Sequence, residues 1–127
     1  MNIKEFKIQY TIGSLSIDNL IKLANRSTSK HILSILSKDK SSSVRCYVAK
    51  NPNTPIDILI ELSKDKDKYV RCSVAYNINT PIDILKILSK DEDYYVRRNV
   101  ACNINTPIDI KESIELWILK NLKYNIL

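Results

Sequence analysis

The sequence predicts an all-α protein, an α-solenoid in which two-helix repeats of 26 residues stack on one another. Three observations carry that prediction. The motif VRxxVAxNxNTPIDI occurs three times without a gap, starting at Val44, Val70 and Val96. The 127-residue chain has a single glycine, Gly13, although tight-turn β structure and phosphate-cradling loops need this residue for its positive φ. Apolar residues within the motif recur at helical spacing. A repeated unit that cannot bury its own apolar face does so by stacking on its neighbours.

The expected elements follow in order. Residues 1–40 form an N-terminal cap and a worn repeat, because LANRSTSKHILSILSKD (23–39) matches the regular units if one residue is missing near Ala24. Residues 41–110 hold the three regular repeats. Residues 111–127 form a capping helix, since Lys111 and Ser113 stand where Leu85 and Ile87 stand one unit earlier. Terminal repeats should be atypical, as their outer faces meet water. The chain thus reads as a single domain.

Within a unit, Thr54, Thr80 and Thr106 read as N-caps, followed by proline at the first helical position and Asp57, Asp83 or Asp109 at the third. The helix after each proline (Ile56, Ile58, Leu59, Ile60, Leu62) is apolar on more than one face. That pattern predicts an inner helix sandwiched between neighbours, closed by Ser-Lys-Asp at 63–65 and 89–91. The other helix opens after Ser41, Asp67 or Asp93 and covers Lys68–Tyr76 and its equivalents. It is expected to be the shorter, of α or 3-10 geometry. It stops at Asn51, Asn77 or Asn103, asparagine being tolerant of left-handed backbone.

The string VRxxVAxNxNTPxxxLxxLSxD, over about residues 23–110, resembles the leucine-rich repeat variant. The element D-x-x-V-R-x-x-V-A at 67–75 is similar to the second helix of HEAT and armadillo-like units. The resemblance implies a right-handed α-α superhelix and a scaffold role. The best-known leucine-rich-repeat-variant protein has a cysteine cluster for an iron–sulfur centre ahead of its repeats. Residues 1–45 contain no cysteine, so that cofactor is not carried over.

Recurring positions report what stacking dictates. Val44 and Val48, with their copies at 70, 74, 96 and 100, form an inward stripe at i, i+4. Arg45, Arg71 and Arg97 recur alongside Asp39, Asp65 and Asp91. They form either a basic ladder for phosphates or repeated structural pairs, and the matched recurrence favours pairs. Asn51, Asn53 and their copies read as turn-builders.

The non-recurring positions are candidates for recognition. Positions 43, 46, 47 and 50 of the first unit form one stripe opposite the valines, filled differently in each copy. With flanking residues they give a partner-binding face of Tyr47, Lys50, Lys68, Tyr69, Tyr76, Tyr94, Tyr95, Arg98 and Asn99. Tyrosine and arginine are enriched at binding hot spots, though tyrosines in these places also cover gaps between helices. Lys66 and Arg97 would make the face basic, as a nucleic-acid surface is. The net charge of +6 fits an acidic partner or a lysine-rich solvated surface.

The expected function is therefore non-catalytic binding of another macromolecule. A protein partner comes first, with nucleic acid as the alternative. The one histidine, His31, has no nucleophile or carboxylate at catalytic spacing, and no catalytic motif is present. No cofactor, metal or small-molecule substrate is expected. Cys46, Cys72 and Cys102 are spaced for packing rather than for a disulfide or a tetrahedral metal site. Free thiols, no apolar run near the roughly 18 residues of a membrane helix and no export signal predict a cytoplasmic protein without membrane contact. Trp117 should pack over the last repeat; if exposed with its neighbours Ile118 and Leu119, it marks a contact surface.

Overall fold

A computed structural model describes residues 1–126, with side chains through Leu122. Among the described residues the fold is all-α, with nine helices and no strand. They are α1 (Ile3–Ile12), α2 (Ile17–Arg26), α3 (Lys30–Leu36), α4 (Ser42–Lys50), α5 (Ile56–Leu62), α6 (Lys68–Tyr76), α7 (Ile82–Leu88), α8 (Tyr94–Cys102) and α9 (Ile108–Ile126). No helix among the described residues is long and apolar enough to cross a membrane.

Most of the tertiary packing runs along the row α2, α4, α6, α8, each helix lying against the next, with α3, α5 and α7 braced on it. Val44, Val48, Val70, Val74, Val96 and Val100 are fully buried along this row, joined by Leu33, Leu59 and Leu85. Burying one such side chain contributes about 1.5–3 kcal/mol. Helices of seven to nine residues have no stability of their own in water, so this shared core holds them.

The Val-Arg helices are α-helical and nine residues long. The proline-led α5 and α7 are the shorter, at seven residues, reversing the expected order. Serine sets the difference. Ser63 donates its hydroxyl to the Ile60 carbonyl at 2.6 Å and ends α5 within two turns. Nor are the proline-led helices sandwiched. Ile56, Ile82 and Ile87 are exposed, while Ile58, Leu59, Leu62 and their copies turn inward and Ile60 packs half-buried against the core.

The threonines are not N-caps. Pro55 and Pro81 take that position without a side-chain bond to the helix. The buried Thr54, Thr80 and Thr106 hydroxyls donate backwards to Val48, Val74 and Val100, carbonyls near the end of the preceding helix. Each of those carbonyls also accepts the amide of the asparagine that closes its helix, and the hydroxyl fills a second acceptor site that burial keeps from water. Asp67 and Asp93 do cap α6 and α8, each accepting from two backbone amides. Asn51, Asn77 and Asn103 close their helices in extended rather than left-handed backbone. Among the described residues only Gly13, ending α1, has positive φ.

Past Pro107 the pattern changes. Where α5 and α7 stop at a serine, α9 runs on without a break at residue 110, so the last repeat helix and the expected capping segment are one helix of 19 residues.

Candidate functional site

Two hydrogen-bond ladders fix the row of helices and remove most recurring polar residues from any binding role. In the first, Arg45 donates through Nε and Nη2 to the Asp65 carboxylate, at 2.9 and 3.3 Å, and through Nη1 to the carbonyls of Asp39 and Lys40. Arg71 repeats the arrangement with Asp91 and the carbonyls of Asp65 and Lys66. Each arginine therefore bridges the loop before its helix and the loop of the next unit. The bonds to Asp65 and Asp91 raise the Arg45 and Arg71 pKa values, against the opposing effect of burial.

In the second ladder the buried Asn77 amide donates to Ala49 and Asn51 of the unit before, at 2.7 and 3.2 Å. Its oxygen accepts from the Asn79 amide. Asn51 and Asn103 do the same one unit earlier and later.

The arginine ladder ends differently on its two sides. Asp39, first in the series, has no arginine; the Tyr10 hydroxyl of α1 donates to it instead, beside the fully buried Phe6. Arg97, last in the series, finds no carboxylate among the described residues. Its Nη1 reaches the Asp91 carbonyl, and its guanidinium carbon lies 3.9 Å from the centre of the Trp117 ring. The expected pairing of each arginine with an acid thus fails at Arg97. Being buried, Arg97 also adds no charge to the surface.

On the Val-Arg helices, what is left exposed is the non-recurring set. Tyr69 and Tyr76 of α6 are 62% and 64% exposed, and with Lys50 of α4 and Asn99 of α8 they line one surface groove. Its floor includes Cys46, Cys72 and Ser73. Burial pushes the Cys46 and Cys72 thiols up, away from the reactive thiolate form. The more exposed Cys102 does not line it. Tyr47 is half-buried beneath the Lys50 ammonium, while Tyr95 and Arg98 are exposed on α8.

Two of the nine residues depart from a basic face. Lys68 sits 3.8 Å from Asp93, so its charge is partly answered within the chain. Tyr94 lines a different recess, at the C-terminal end with Arg97 and Trp117. Sequence reasoning singled out Trp117 at that end but missed its stacking on Arg97. The signal was available, because position 117 is one period beyond Asp91 and holds tryptophan.

His31 is exposed near the start of α3. No group of three or more His, Cys, Asp or Glu side chains converges among the described residues in a way that could hold a metal ion. Comparisons with protein-family models, curated proteins and solved structures found no match to this chain.

Proposed function

We propose that the chain is a right-handed α-solenoid of the leucine-rich-repeat-variant or HEAT-like kind that binds another protein, without catalysis, through the tyrosine groove on α4, α6 and α8. One observation carries the reading. Tyr69 and Tyr76 are large side chains at non-recurring positions, exposed by more than half, on the helix at the centre of the packed row. The framework beneath them is rigidly bonded, so a partner orders few side chains on docking, and preorganisation of this sort favours affinity. Tyrosine presents wide apolar area with a polar tip, which suits a protein surface.

The ladders argue against a phosphate-reading face. Of the five arginines, Arg45, Arg71 and Arg97 are buried, and Lys68 faces Asp93. Among the described residues the unpaired cations along this face are mainly Lys50, Lys66 and Arg98, few for counter-ion-driven binding to nucleic acid.

Affinity capture with the immobilised chain tests this, run at low and high salt alongside a Tyr69→Ala/Tyr76→Ala variant. The expected result is a protein retained at both salt levels and lost from the variant, with the variant's thermal unfolding unchanged. Retention of nucleic acid that falls steeply with salt, or equal capture by the variant, would overturn the reading.

A further inference from the structure

The arginine ladder stops one carboxylate short. Arg45 and Arg71 each take both oxygens of an aspartate 20 residues further on. The same step from Arg97 lands on Trp117, because α9 continues as helix where earlier units turn at Ser-Lys-Asp. Arg97 is only 9% exposed, yet among the described residues its Nε has no hydrogen-bond partner. A buried guanidinium N–H without an acceptor is costly, and a carboxylate is the acceptor that its geometry fits.

We propose that this end of the array, around Arg97 and Trp117, seats an aspartate or glutamate side chain of another polypeptide, in the manner of Asp65 and Asp91. Two recesses meet at these residues. One is lined by Lys86, Lys90 and Ile114 and the other by Tyr94, Ile118 and Leu122. Cations and apolar side chains together suit an acidic residue carried on an amphipathic segment. Among the described residues Asp109 is the one acid in either lining, and it makes no bond to Arg97. Leu116, Trp117, Leu119 and Leu122 are each 45% exposed or more, so the apolar area for such a segment is present.

The ladder aspartates of a second folded copy are already taken. Asp65 and Asp91 are held by Arg45 and Arg71, and Asp39 by Tyr10 and the Ser41 amide. A phosphate would match the charge but not the apolar flanks. The inference concerns a different surface from the tyrosine groove and stands or falls apart from it. Because Nε is buried and the indole is stacked on the guanidinium, an incoming carboxylate must shift the ring. The site therefore carries its own reporter, Trp117, the single tryptophan of the chain.

The experiment is a fluorescence titration of Trp117 in the intact protein with a synthetic peptide of residues 56–67, IDILIELSKDKD, which carries the Asp65 turn and no aromatic residue. The same peptide with Asp65→Asn is titrated in parallel. A saturable change of the indole signal is expected, with the Asp65→Asn peptide binding at least about tenfold more weakly. An Arg97→Met protein, checked by circular dichroism, should lose the difference between the peptides; should it not fold, the two peptides decide alone. No indole response, equal binding of the two peptides, the same response to inorganic phosphate, or a signal that depends on protein concentration without peptide would each overturn the proposal.

Discussion

Asn77→Ala is the substitution whose cost follows most directly from the structure. The Asn77 side chain is 3% exposed and makes three hydrogen bonds, to the carbonyls of Ala49 and Asn51 and from the Asn79 amide. Alanine removes all three. The Asn51 carbonyl keeps its bond from the Thr54 amide, and Asn79 is exposed, so water replaces what it loses. The Ala49 carbonyl belongs to a fully buried residue at the end of α4 and is left bare. An orphaned buried acceptor costs about 1–3 kcal/mol, and the two replaceable bonds about 0.5–1.5 kcal/mol each. The expected loss is about 2–6 kcal/mol, a large share of the stability of a domain this size. Asn79→Ala is the control, since that exposed side chain donates only to the Pro52 carbonyl and should cost less than about 1 kcal/mol. Urea unfolding followed by helical circular dichroism gives both values, provided the slopes agree. Equal midpoints for the two variants would refute the ladder as a source of stability.

Other expectations follow from the same geometry. Burial first, then the bond to Asp39 and its negative charge, push the Tyr10 phenol up from 10.0 to about 12. The folded state thus holds that proton more tightly than the unfolded chain, so the Tyr10 contribution to stability is whole below pH 10 and fades as pH climbs through 12. In a spectrophotometric titration one phenol should ionise late and be missing from Tyr10→Phe; scaled curves that superimpose would contradict it. With an aromatic disulfide reagent near neutral pH, exposed Cys102 should react in a fast phase, with Cys46 and Cys72 slower because burial raises their thiols. Cys102→Ser should remove the fast phase alone, whereas a single phase for all three would count against the burial. Thr80→Val removes the hydroxyl bond to the Val74 carbonyl, which keeps the Asn77 amide, and should cost about 0.5–1.5 kcal/mol by urea unfolding; an unchanged midpoint would restore Thr80 to a minor role.

The helices were legible because the sequence motif recurs. Lys68–Tyr76 and its equivalents emerged as helices, and the inward valines are buried as the i, i+4 spacing required. The errors came from reading local chemistry alone. Threonine before proline is a good cap within its own turn, yet here the hydroxyl meets a buried carbonyl six residues back. Asparagine at a helix end suits left-handed backbone, yet here its amide bonds a carbonyl 28 residues upstream. No local window contains that partner. The arginine pairs were sensed from matched recurrence but not their direction, which crosses into the following unit and leaves Arg97 unanswered. The tyrosine positions were named by their failure to recur. Sequence placed Tyr94 and Lys68 among them, whereas α9 draws Tyr94 into the terminal recess and Asp93 faces Lys68.

A double-mutant cycle on Arg71 and Asp91 tests most directly whether recurring residues couple one unit to the next. Arg71→Met keeps the apolar stem. Asp91→Asn keeps an oxygen for the Asp93 amide, which now bonds the Asp91 carboxylate at 2.9 Å. The two side chains are about nine-tenths buried and meet at 2.9 Å, so the coupling energy should be about 1–3 kcal/mol. A coupling below about 0.3 kcal/mol, the level of independent sites, would mean that the repeated pair does not join the units.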